Sequence, residues 1–157
     1  MDGESMMDIR YGNGEGRFTL RAAVLIIRDG SILLARDDAH DCFYTVGGGI
    51  RQNESSAEAA RRECREETGC ALEVERLLFV QERFYSLGNT PQHEVTFFYL
   101  MKDDAVPLRS GAATDQPGEH LHWLPVRALE TVNVVPAFLR RGLRELPAGV
   151  SHIITRE

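Results

Sequence analysis

Three cysteines in 157 residues (Cys42, Cys64 and Cys70) are too few, and too unevenly spaced, to form a disulfide framework. Buried free thiols in a reducing cytoplasm are the expectation. No C-x2-C or H-x3-H pair accompanies them, which argues against a structural zinc site. No apolar run approaches the roughly 18 residues that span a bilayer, and no charged-then-apolar segment opens the chain. Membrane association is therefore not expected. Positive charge is also short: 18 Lys and Arg against 24 Asp and Glu leave a net charge of −6. That balance counts against a nucleic-acid binder working through long-range attraction to phosphate. Internal repeats are missing, and 157 residues with 43% apolar content suit one domain with a proper core.

The stretch from Gly48 to Cys70, GGIRQNESSAEAARRECREETGC, holds most of the chemical information. Ser55 suits a helix N-cap, with Glu58 three residues on as the second half of a capping box. Gly69 fits the residue just past a helix end, where the left-handed conformation costs Gly least. The spacing predicts a helix over about 56–68, preceded by a loop from Gly47 to Glu54. Ala57, Ala60 and Cys64 form a small apolar stripe for packing on a sheet. Glu63, Glu66 and Glu67 share a face turned away from it, roughly 5–6 Å apart at Cβ. Three carboxylates that close repel one another unless a cation lies among them. A solvated acidic helix is the plain alternative for the glutamates taken alone.

Around that helix the chain reads as strands. Phe18–Arg28 alternates and then runs apolar, Asp29-Gly30 signals a hairpin, and Ser31–Ala35 and the Phe43–Val46 run follow. Ala71–Arg83 and His93–Met101 read as strands joined by a loop over Phe84–Gln92. Asp103–Gly118 reads as a mobile loop, His120–Leu124 as a short strand, Val126–Thr131 as a helical turn, and 136–146 as a last helix. Residues 1–15 are polar, Gly-rich and without periodicity, so a flexible N-terminal segment is expected before a single domain over 16–157. The fold class is α/β, with a mixed sheet between helices.

Gly48, Glu54, Arg62, Glu63, Glu66, Glu67 and Gly69 match every fixed position of the Nudix box, G-x5-E-x7-R-E-U-x-E-E-x-G-U. Seven prescribed residues at one spacing would arise by chance in about one in a million chains of this size. The chain departs from the pattern at Cys64 and Cys70, which replace bulky aliphatics, and at Val46, where many relatives carry Pro. On these residues the chain resembles the Nudix hydrolases, and the flanking strands resemble the family over about 17–129.

The resemblance implies an αβα sandwich and Mg2+-dependent cleavage of a phosphoanhydride bond in a nucleoside diphosphate linked to another group, with Mn2+ as a substitute ion. It implies metal ligation by Glu63, Glu66 and Glu67, joined by the carbonyl of Gly48, with Glu54 supporting or ligating. Arg62 then orients a catalytic glutamate through a bidentate, charge-assisted hydrogen bond. For the general base it leaves Glu67, with Glu119 as chief alternative and Glu94, Asp115, His93 and His120 behind them. Tyr85 and Phe84, with Glu94, are candidates for substrate binding, as are Phe43 and Tyr44 for base stacking; core packing explains aromatics in strands equally well. A (d)NTP, ADP-ribose, a nucleotide sugar and a dinucleoside polyphosphate all stay open as substrates. A non-catalytic Nudix-fold binding module and an RNA-end pyrophosphohydrolase are the competing readings, and a homodimer is compatible with the family.

Overall fold

The computed structural model describes residues 7–103 and 107–157. The expected mobile loop over Asp103–Gly118 thus falls partly outside the described residues, as do residues 1–6 of the expected flexible segment. The strands are β1 (Arg10–Asn13), β2 (Gly16–Leu25), β3 (Ile27–Arg28), β4 (Ser31–Asp37), β5 (Phe43–Gly49), β6 (Val74–Leu87), β7 (Thr90–Met101), β8 (Glu119–Pro125), β9 (Val134–Val135) and β10 (Ser151–Arg156). The helices are α1 (Ser56–Thr68) and α2 (Leu139–Gly142), with a 3-10 turn at Val126–Thr131.

The sheet runs β10-β6-β7-β2-β5-β4-β3, with β1 on β2, β8 on β4 and β9 on β5. It is mixed, as expected. The pairs β2–β7, β6–β10 and β5–β9 are parallel, and the others are antiparallel. Strand alternation in β2 divides the core in two. Ala22 and Val24 pack with Ala59, Ala60 and Cys64 of α1, while Ala23 and Leu25 pack on the other face with Phe98, Leu129, Leu139 and Leu143. Few helices cover a large mixed sheet, which is the α/β sandwich of the Nudix architecture.

Helix α1 has the predicted bounds, and both halves of its capping box are made: Ser55 Oγ accepts from the Glu58 N–H, and the Glu58 carboxylate accepts from the Ser55 N–H. Gly69 closes it in the left-handed conformation at φ 74°. Other elements differ from expectation. Gly47–Gly49 is not loop but the end of β5, paired with Ala23, Ala22 and Arg21 of β2. Gly47 is needed there because the backbones come very close: a Cβ on it would lie 2.3 Å from the Ala22 carbonyl oxygen, whereas at Gly48 and Gly49 a Cβ would meet the side chains of Glu63 and Asp8.

The expected loop over Phe84–Gln92 is strand instead. β6 and β7 stay paired to Leu87 and Thr90, and Gly88-Asn89 alone makes the turn, with Gly88 at φ 57°. The last helix contracts from 136–146 to Leu139–Gly142. Arg10–Asn13, within the opening polar segment, pairs with β2. β10 has no counterpart among the expected elements.

Candidate active site

Loop 50–55 and the middle of α1 bring Glu54 and Arg62 together, and Arg62 organises what surrounds it. Its guanidinium carries five N–H donors, and each meets an acceptor. Nε and Nη2 grip the two oxygens of Glu54 at 2.7 and 3.0 Å, and Nη1 donates to Glu63 Oε1 at 2.6 Å and Glu66 Oε2 at 3.3 Å. The remaining donor reaches the main-chain carbonyl of Gly49 at 2.9 Å. The side chains of Arg62, Glu54 and Glu63 are 17%, 10% and 12% exposed, against 40% for Glu66, so most of this network is shielded from water. The Glu54 carboxylate also accepts the Arg51 N–H, and with Arg62 as the main cause its pKa is held below the usual carboxylate range.

Glu63 and Glu67 do not face away from the sheet as the helical face suggested. They reach back under α1 to the glycines at the end of β5. A Cβ on Gly48 would sit 2.5 Å from Glu63 Oε1, and the Gly47 N–H donates to Glu67 Oε2 at 3.0 Å. The buried face of the helix correspondingly uses Ala59, Ala60 and Cys64, with Ala57 only half-buried.

Glu67 lies outside the reach of Arg62. Burial, with Glu63, Glu119 and Asp115 adding their repulsion, pushes its pKa up to about 8, against one opposing hydrogen bond from the Gly47 N–H. Glu63 is raised in the same way by burial, Arg62 opposing. Among the described residues no three His, Cys, Asp or Glu side chains already close on one point. The donor set nevertheless fits a hard divalent cation: carboxylate oxygens on two turns of one helix, held against a glycine strand end with no side chain to fill the gap.

Residues remote in sequence complete the surroundings. Asp8 places its carboxylate 2.5 Å from where a Gly49 Cβ would be, and its charge acts on Glu63. Glu119, only 8% exposed, accepts from the Tyr44 hydroxyl at 2.5 Å and the Thr114 hydroxyl at 2.8 Å. Tyr85 and Glu94 meet on the sheet face opposite α1, the Tyr85 hydroxyl donating to Glu94 at 2.7 Å. With Arg21, Tyr44, Arg83 and Pro136 they line a cavity of about 320 Å³.

Phe84 is not with them. Successive strand residues point to opposite faces, and Phe84 stacks on His93 at 4.3 Å beneath the guanidinium of Arg156. Phe43 packs against His122 at 5.6 Å, and His120 lies 3.5 Å from Asp38. Sequence spacing carries no signal for Asp8, Thr114 or Arg83: Arg83 is brought in by the β6–β7 register, Asp8 by an isolated bridge to Arg51, and Thr114 by the turn that closes on Glu119.

A family model described as the NUDIX domain matches residues 17–146. The chain is 28% identical over 127 residues to the 8-oxo-dGDP phosphatase NUDT18 of Danio rerio, an alignment covering 75% of this chain and 37% of that one. It thus spans only about a third of the length of the curated relatives it matches. Among solved structures, the MutT NUDIX hydrolase from Burkholderia pseudomallei shares 27% identity at a TM-score of 0.51, over 69% of this chain and 84% of that one. The MutT protein from Bacillus halodurans superposes at a TM-score of 0.62 with 15% identity, over 88% and 89% of the two chains, and speaks to the fold alone.

Proposed function

The chain belongs to the Nudix family, and from that premise we propose that it hydrolyses a phosphoanhydride bond of a small nucleotide in which a nucleoside diphosphate is linked to another group. The observation that carries this reading is the cluster beneath α1: Glu63 and Glu67, buried against Gly47 and Gly48 without a side chain between them, beside Glu66 and Arg62. Nudix hydrolases generally use a divalent metal, and Mg2+ is the ion proposed here. Glu63, Glu66 and Glu67, with the Gly48 carbonyl, would hold it, and its charge would offset that of the phosphates and polarise the phosphoryl oxygens. The net charge of −6 opposes the approach of a polyphosphate, and a divalent cation would offset it.

The protein's own groups supply the rest. Arg62 fixes Glu63 and Glu66 through charge-assisted bonds, and Glu54, with both oxygens engaged by Arg62, supports that arrangement. Glu67 accepts the proton of the attacking water, with Glu119 as the alternative acceptor. Tyr85 and Glu94 contribute to the cavity for the nucleotide's organic part. Because the curated relatives are named for 8-oxo-dGDP, an oxidised guanine diphosphate belongs beside nucleoside triphosphates, ADP-ribose, nucleotide sugars and dinucleoside polyphosphates as a test substrate.

Glu66→Gln and Glu67→Gln keep side-chain shape and remove the charge. Each is expected to reduce turnover by about 10²-fold or more while circular dichroism and thermal melting stay those of a folded protein. Near-normal turnover in both variants contradicts the assignment.

A further inference from the structure

Glu119 is the first residue of β8, far from the Nudix box in sequence, yet it is buried and close enough to Glu67 to act on its charge. Its two carboxylate oxygens are engaged by two different hydroxyls. Tyr44, on β5 three residues before Gly47, donates to Oε2 at 2.5 Å, and Thr114, in the turn preceding β8, donates to Oε1 at 2.8 Å.

The direction of the Thr114 bond follows from its neighbour. Thr114 Oγ1 accepts the Gln116 N–H at 3.1 Å, which leaves its proton for Glu119. The turn itself is closed by main-chain bonds from Thr114 to the Glu119 carbonyl at 3.0 Å and from Glu119 to Gln116 at 3.2 Å. Tyr44 also lines the nucleotide cavity, so one side chain joins that cavity to the buried carboxylate. Each oxygen of Glu119 keeps a lone pair beyond the one its hydroxyl uses. The carboxylate can therefore be held in one orientation and still accept a further hydrogen bond.

We propose that Tyr44 and Thr114 are positioning residues that act on turnover through Glu119, fixing both of its oxygens in one orientation at the start of β8. The inference rests on the hydrolase reading above. It gives Tyr44 a role different from base stacking, and makes the β5–β8 contact part of the catalytic apparatus as well as of the fold.

The test is a steady-state comparison, in Mg2+ and with the best substrate of the wild type, of Tyr44→Phe, Thr114→Val, Thr114→Ser, Glu119→Gln and the double variant Tyr44→Phe/Glu119→Gln. Tyr44→Phe and Thr114→Val are each expected to lower kcat about tenfold with KM within about twofold of wild type. Thr114→Ser, which keeps the hydroxyl, restores most of that loss. In the Glu119→Gln background Tyr44→Phe should cost less than about a further twofold, because its effect passes through the missing carboxylate.

Unchanged kcat in folded Tyr44→Phe and Thr114→Val, or an undiminished Tyr44→Phe effect on Glu119→Gln, overturns the inference. If Tyr44→Phe does not fold, the Thr114 Val and Ser pair decides: equal kcat in the two overturns it. A wild type that hydrolyses nothing removes the hydrolase reading itself. An active wild type with insensitive variants overturns this inference alone.

Discussion

Glu67 gives the protein a pH signature that can be measured without any substrate. Its carboxyl titrates near 4.5 when unperturbed and is pushed up to about 8 in the folded chain, mainly by burial. Between those values the folded state binds more protons at this site than the unfolded state does, so stability falls as pH rises. The loss begins near the unfolded value and is complete above the folded one. Without divalent cations, Glu67→Gln should therefore melt higher than wild type at about pH 9, by on the order of 1 kcal/mol, and no higher at about pH 5. Thermal melts of the pair in chelator at both pH values check this, and a difference independent of pH contradicts it.

At the same scale, Arg62, Glu63, Glu66 and Glu67 were legible in the sequence because helical spacing sets them beside one another, whereas Glu54, in the loop before α1, was named only through its place in the Nudix box. The Tyr44–Glu119 contact was not legible. It spans 75 residues and exists only because β4 pairs with both β5 and β8.

Helix α1 holds this chemistry through its ends as much as through its faces. The Ser55–Glu58 capping box fixes where the helix begins, and so fixes the register of Arg62 and Glu63 against Gly48 and Gly49. Ser55→Ala removes the side-chain half of the box and should lower stability by about 1 kcal/mol, read as a fall of about 2–4 °C in Tm. An unchanged Tm contradicts the capping role. The bounds of this helix were readable because Ser55, Glu58 and Gly69 act locally. The β6–β7 hairpin was misread because the polar and Pro-containing stretch Phe84–Gln92 looks like loop, whereas pairing of β6 with its neighbours keeps those residues extended. Glycines 47–49 pointed correctly to a close approach, of neighbouring backbone at Gly47 and of the Glu63 and Asp8 side chains at Gly48 and Gly49. That the backbone approach is to β2 follows from sheet order, which no local pattern encodes.

Across the whole molecule, the two faces of the sheet carry different features. One face carries α1 and its acidic cradle at the end of β5, and the other carries the cavity between Arg21, Tyr85 and Glu94. Fold class and the acidic site were thus open to sequence reasoning, since both depend on periodicity and on one dense motif. The cavity's composition was not, because strands distant in the chain contribute it. No helix among the described residues is long and apolar enough to cross a membrane.

The central claim is that the cradle under α1 serves cation-dependent cleavage of a nucleotide phosphoanhydride. Its most direct test is product release by the wild type across nucleoside triphosphates, 8-oxo-dGDP, ADP-ribose, nucleotide sugars and dinucleoside polyphosphates, each with Mg2+ and with chelator. Hydrolysis of at least one of these in Mg2+, abolished by chelator, is the predicted result. Hydrolysis of none in Mg2+, or equal hydrolysis in chelator, would contradict it.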